Sequence, residues 1–67
     1  MKTIADVIKQ IRKELKLSQK DFANVLGYNY RVVGSWENGR SKPGIDTIKL
    51  IHDKFNVEYE DIFDYDL

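Results

Sequence analysis

The sequence predicts an all-α domain of five short helices, and three observations carry that reading. Apolar residues recur at three- and four-residue spacing in successive segments. Helix-starting residues (Thr3, Ser18, Asn29) stand just before such segments, and helix-ending ones (Gly27, Asn56) just after them. The 67 residues bound the chain to one domain, 1–67, with a core small enough to be only marginally stable alone.

In the first helix, over residues 4–15, Ile4, Ile8, Ile11 and Leu15 share one stripe, with Val7 at its edge and Thr3 as the cap. Lys9, Lys13 and Lys16 lie outside the stripe as a solvated face. Ser18 caps the second helix, with Asp21 a weak capping-box partner; Phe22, Ala23, Val25 and Leu26 fall on its inner side. Gly27 closes it in the left-handed conformation. Asn29 caps a third helix over 30–37, which ends at Asn38-Gly39. Pro43-Gly44 leads into a fourth over 45–55, with Ile45, Ile48, Ile51 and Phe55 toward the core. His52 falls inside that stripe as a satisfied core or boundary residue rather than a ligand, and Leu50 points away. Asn56 ends this helix, residues 59–63 form a fifth, and 64–67 are a short acidic tail.

Two short helices joined by a tight glycine turn make residues 18–38 a helix-turn-helix, whose second helix enters the DNA major groove. At about 100° per residue, Tyr30, Gly34, Asn38, Arg31 and Ser35 span an arc of roughly 140° on that helix. Val32, Val33, Trp36 and Glu37 take the other side. By composition alone the polar arc is as well explained by a solvated face carrying a tolerated glycine. The preceding helix and turn tip the balance to DNA readout. Arg31 is the leading base reader, because a guanidinium forks onto the O6 and N7 of guanine; near a helix start it can equally grip a phosphate. Ser35 suits either base type. The Tyr30 ring can pack on a thymine methyl, or its hydroxyl can reach a phosphate. Asn29 is first a cap, and otherwise falls with the backbone contacts.

These residues resemble the Cro and CI (lambda-repressor-like, XRE) family of helix-turn-helix regulators from about Ile8 to Phe63. The resemblance is carried by Leu17-Ser18-Gln19, Phe22-Ala23, Leu26-Gly27, Ser35-Trp36-Glu37-Asn38-Gly39, Lys42-Pro43, Asn56-Val57 and Asp61-Ile62. It implies a compact five-helix domain, usually a homodimer on a two-fold operator. It implies that Gln19 contacts phosphate and braces the recognition helix, that Tyr30, Arg31 and Ser35 read bases, and that Asn38, Arg40 and Lys42 grip the backbone. It also implies that Arg12 pairs with Glu37. The chain departs from the family at Tyr30, where glutamine or arginine is commoner, and at Gly44, Leu50 and His52.

Net charge is zero, but the charges are segregated. Residues 1–49 hold ten Lys and Arg against five Asp and Glu, a net +5; residues 50–67 hold one against six, a net −5. A neutral protein gains little from phosphate neutralisation alone and depends on matched contacts. There is no cysteine and one histidine, so neither a disulfide nor a metal site is expected, nor any cofactor. The chain lacks a phosphate-binding glycine loop and a nucleophile–histidine set, which argues against an enzyme. Met1-Lys2-Thr3 reads as a native start, with no targeting or membrane segment and no separate effector domain expected.

The expected function is a sequence-specific regulator of double-stranded DNA, a repressor in a bacterial or phage cytoplasm, acting on a palindromic operator. Leu50, Ile62, Phe63, Tyr65 and Leu67 remain once the core is filled, and predict a homodimer through the C-terminal region; Ile62 and Phe63 suit nearly as well a role capping the domain's own core. The competing reading is a protein-interaction module, antitoxin-like or polymerase-contacting, with secondary DNA binding; the acidic, aromatic end EYEDIFDYDL favours it.

Overall fold

The computed structural model describes residues 2–66 and contains α1 (Ile4–Glu14), α2 (Gln19–Leu26), α3 (Tyr30–Glu37), α4 (Ile45–Phe55) and α5 (Tyr59–Ile62). The all-α, five-helix expectation holds, and the local start and stop signals explain why. Thr3 forms a full capping box: its hydroxyl accepts from the Asp6 N–H at 3.2 Å, and the Asp6 carboxylate accepts from the Thr3 N–H at 2.9 Å. Ser18 makes half of one, accepting from the Asp21 N–H at 3.0 Å. Gly27, at φ 81°, ends α2 in the left-handed region that glycine reaches without strain. Asn56 does the same for α4 at φ 56°.

α3 packs on both α1 and α2, α4 packs on α2, and α5 rests on α1. Each contributes to one core: Ile4, Val7, Ile8 and Ile11 from α1, Phe22, Ala23 and Leu26 from α2, Val33 and Trp36 from α3, Ile48 and Ile51 from α4, and Ile62 from α5. Phe22 and Phe55 stack at 4.8 Å between ring centres, joining α2 to α4. Tyr28, in the motif turn, meets Trp36 edge-on at 5.5 Å, and its hydroxyl sits 2.7 Å from that of buried Thr47. That one side chain ties the turn to α3 and α4 together.

Several apolar residues sit elsewhere than expected. Ile45 is 62% exposed, and Thr47 takes a buried place on α4 instead. At about 100° per residue, Thr47, Ile48, Ile51 and Phe55 cluster within roughly a quarter turn, and Ile45 lies well outside it. The same rotation puts Val25 outside the arc of Phe22, Ala23 and Leu26, and it is exposed. Val7, expected at an edge, is fully buried. Leu50 packs partly against the core rather than pointing away. His52 is half-buried, with Nδ1 2.8 Å from the Val57 carbonyl and its ring stacked on Tyr59 at 4.0 Å.

The C-terminal region differs most. Ile62 is fully buried and belongs to the core, so it is not free for a dimer interface. Residues 64–66 fold back onto the start of the chain. Lys2 N–H donates to the Asp66 carboxylate at 2.9 Å, Asp66 N–H donates to the Lys2 carbonyl at 2.8 Å, and the Lys2 ammonium pairs with Asp64 at 3.1 Å. Tyr65 packs partly on the core; Leu67 lies outside the described residues.

Ile62→Ala should therefore lower the free energy of unfolding by about 2–5 kcal/mol, since it opens a hole in a sealed core. Denaturant unfolding measures it, and a loss below about 0.5 kcal/mol, typical of a surface site, would place Ile62 outside the core.

Candidate nucleic-acid interface

Helix α3 has two faces of opposite character. Val33, Trp36 and Glu37 are buried, and Val32 packs beside them. Tyr30, Arg31 and Asn38 are exposed, with Gly34 and Ser35 half-exposed between them. The polar arc of the sequence is thus the outer face of the folded helix. At its start the Asn29 side-chain oxygen accepts from the Arg31 N–H at 2.9 Å. That fixes the cap.

A buried polar junction sets the inner face. The Arg12 Nε donates to Glu37 Oε2 at 2.7 Å and its Nη2 to Glu37 Oε1 at 3.0 Å, a two-pronged pairing of guanidinium and carboxylate. The remaining Nη1 donates to the Leu17 carbonyl at 2.9 Å. Gln19 adds a third donor to Glu37, Nε2 to Oε1 at 3.3 Å. The side chains of Arg12 and Glu37 are 14% and 2% exposed. Burial pushes the Glu37 carboxyl up, but the Arg12 and Gln19 hydrogen bonds and the Arg12 charge outweigh it and hold the carboxyl below its ordinary value. A depressed folded-state value means that the junction stabilises the fold above the unfolded glutamate range, about 4.3. That stabilisation is lost as pH falls through the folded value.

Gln19 also touches the outer arc. A Cβ built on Gly34 would stand 3.7 Å from the Gln19 side-chain oxygen, an ordinary contact distance. An alanine therefore fits here as far as the protein's own atoms are concerned. The bare backbone at Gly34 is unexplained by packing within the chain.

The loop from Asn38 to Gly44 doubles back along α3. Gly39 turns it at φ 76°, and the Ser35 carbonyl accepts from the Arg40 N–H at 3.0 Å and the Ser41 N–H at 3.4 Å. Pro43 is buried and pins the loop's far end. Arg40 is thereby held beside Ser35, while Lys42 is exposed further along. Among the described residues the ion pairs are Lys2–Asp64 and Arg12–Glu37, so Arg31, Arg40 and Lys42 carry unpaired positive charge. The structure brings Gln19, Tyr30, Arg31, Ser35, Asn38 and Arg40 onto or beside one helix face. Two contributors were not expected from the sequence: the Ser35 carbonyl as the loop's anchor and Tyr28 as the clamp on the turn. A tyrosine directly after the motif glycine was the available signal for the second.

Among the described residues no group of His, Cys, Asp and Glu is arranged to hold a metal, and no helix is long and apolar enough to cross a membrane.

Comparison with known proteins agrees with this geometry. A family model described as Helix-turn-helix matches residues 8–62. The antitoxin PezA of Streptococcus pneumoniae is 40% identical over 55 residues, which are 82% of this chain and 35% of that protein. YiaG of Escherichia coli, an uncharacterized HTH-type transcriptional regulator, is 43% identical over 44 residues, 66% of this chain and 46% of that one. The chain thus spans less than half the length of these two relatives. A transcriptional regulator from Listeria innocua matches 100% of this chain and 63% of its own with a TM-score of 0.81 at 21% identity, a likeness of fold. Sequence motif, fold and family match converge, and the chain belongs to the Cro/CI-type (XRE) helix-turn-helix family.

Proposed function

We propose that the chain is a sequence-specific transcriptional regulator that reads double-stranded DNA in the major groove with the outer face of α3. The observation that carries this reading is the asymmetry of α3: its inner face is locked by the Arg12–Glu37–Gln19 junction, and its outer face holds unpaired Arg31 beside a bare backbone at Gly34. In this reading Arg31 and Ser35 hydrogen-bond base edges, and Tyr30 packs on the neighbouring step. Gln19, Asn29, Asn38, Arg40 and Lys42 hold phosphates and set the register. The protein binds rather than catalyses, and needs no cofactor. Repression follows most simply, because occupying a promoter requires nothing beyond the DNA face. The setting would be the cytoplasm of a bacterium or of a phage-infected cell.

A homodimer on a palindromic operator completes the proposal, since one domain reads few base pairs and a second half-site lies about one helical turn away. With Ile62 buried, the apolar surface left for such an interface is narrower than the sequence suggested: Phe63, 45% exposed, and Tyr59, 40% exposed, whose rings lie 6.4 Å apart. The carboxylates around them repel across a two-fold axis, Lys49 and Lys54 offset part of that, and salt screens the remainder. Such a dimer is weak off DNA. The likeness to an antitoxin favours a second reading, in which this domain holds a protein partner and DNA binding is secondary. Salt-dependent gel-shift assays against the DNA upstream of its own gene separate the two.

Selection from a random duplex pool supplies the preferred site for the decisive variants. Arg31→Ala should cost roughly 1–3 kcal/mol on that site and relax preference at one base step. Arg40→Ala and Lys42→Ala should weaken all sequences alike and each lower the slope of log affinity against log salt by about one unit. Equal loss on selected and random DNA for Arg31→Ala would make it a phosphate contact. Gly34→Ala should stabilise the fold by up to about 1 kcal/mol and yet weaken binding, because its methyl meets the groove wall; unchanged binding would make Gly34 incidental.

A further inference from the structure

The loop that follows α3 opens with Asn38-Gly39, and Asn38 is the one asparagine of the chain followed by glycine. Asn24 and Asn56 precede valine, and Asn29 precedes tyrosine. An asparagine carboxamide is open to attack by the next residue's backbone nitrogen when no side chain blocks the approach and the backbone can turn. Glycine meets both conditions. Asn38 and Gly39 are both exposed, and no heavy atom lies within 4 Å of the position a Gly39 Cβ would take. One bond restrains the attacking group: the Gly39 N–H donates to the Trp36 carbonyl at 3.3 Å, a long contact in the last turn of the helix. Terminal turns of this kind open readily. By contrast, the Asn29 side chain is held by its cap bond to the Arg31 N–H.

We propose that Asn38 is a site of spontaneous deamidation, and that the product loosens the protein's hold on DNA. The Gly39 nitrogen forms a bond to the Asn38 Cγ, and the Cγ–Nδ2 bond breaks. The carboxamide nitrogen leaves as ammonia, carrying the proton that the Gly39 nitrogen gives up. Water then opens the five-membered succinimide. Attack at the side-chain carbonyl yields aspartate, and attack at the backbone carbonyl yields isoaspartate. Water is the sole co-reactant, and no oxidation state changes.

Either product places a new carboxylate at the C-terminal end of α3, where the helix dipole disfavours negative charge. It also stands in the loop that carries Arg40 and Lys42, on the side assigned to phosphate. Isoaspartate additionally lengthens the backbone just before the bond that holds Arg40 to the Ser35 carbonyl. The conversion is chemistry of the chain alone; its effect on affinity rests on the DNA reading above. The molecule thereby carries a clock that weakens its grip with age.

The test ages the full chain at mildly alkaline and at mildly acidic pH, with peptide mapping by mass spectrometry and binding to a mixed-sequence DNA duplex at low salt. Conversion at Asn38 is expected to outrun that at Asn24, Asn29 and Asn56, and to be faster at the alkaline pH. The fully converted chain is expected to bind the duplex more weakly by on the order of tenfold, a loss that shrinks as salt rises. Asn38→Asp, whose fold a thermal melt checks, should reproduce the loss. Aged Asn38→Ser should keep its own fresh affinity. Conversion at Asn38 no faster than at the other three asparagines would overturn the proposal. So would a converted chain that binds as tightly as the fresh one while Arg40→Ala has lost affinity. A fresh chain that binds no duplex would overturn the DNA reading and the affinity loss with it, while the mapping still decides the chemistry.

Discussion

The Arg12–Glu37–Gln19 junction is the constraint around which the domain is arranged. It draws one side chain from α1, one from the first residue of α2 and one from the last residue of α3. Arg12 adds a bond to the Leu17 carbonyl, and its own carbonyl accepts from the Leu17 N–H at 3.2 Å, so the α1–α2 connection is fixed at the same point. A buried ion pair of this kind contributes little net stability, because desolvation of two charges offsets most of their attraction. Its geometric demand is strict, however, and a guanidinium that must meet a carboxylate along two prongs accepts few orientations. The rotation of α3 about its axis follows from it, and with that rotation the choice of which residues face outward.

Packing reinforces the same choice along the inner side of the helix. Val33 and Trp36 enter the core, and Tyr28 lies against Trp36 while reaching Thr47 on α4. α3 is thus gripped near its C-terminal end by the ion pair and along its inner side by aromatic contact. Among the described residues, Arg31 stands unpaired on the opposite face, and Arg40 and Lys42 stand unpaired in the loop that folds back on Ser35. The acidic residues gather in the last part of the chain, where α5 rests on α1. A chain of zero net charge can in this way present a basic surface to a polyanion without a large non-specific attraction.

The helix-turn-helix was legible because its signals are local. Ser18, Gly27 and Asn29 act on backbone groups within four residues of themselves, and each does in the fold what its position suggested. Ile45 and Val25 were misplaced because apolar character does not by itself fix an angle on a helix; the rotation from their neighbours does. The burial of Ile62 was one of two readings its sequence left open, whereas the strap of Asp64 to Asp66 was illegible for another reason. The pairing of Asp66 with Lys2 spans 64 positions, and nothing in either neighbourhood announces the other. The Tyr28–Thr47 bond is hidden in the same way. The approach of Gln19 to both Glu37 and Gly34 was foreshadowed only by family resemblance, since it depends on how α2 and α3 cross. The proposed contacts to DNA lie on the face that this crossing leaves bare.

The ion pair orients α3 more than it stabilises the fold. The most direct measurement replaces both partners, as Arg12→Met with Glu37→Met, and compares preference for a selected site over random DNA with that of the native chain. The expected result is a folded protein whose stability changes by no more than about 1–4 kcal/mol in either direction, and whose preference for the selected site falls markedly. A double variant that remains folded and discriminates as well as the native chain would contradict it.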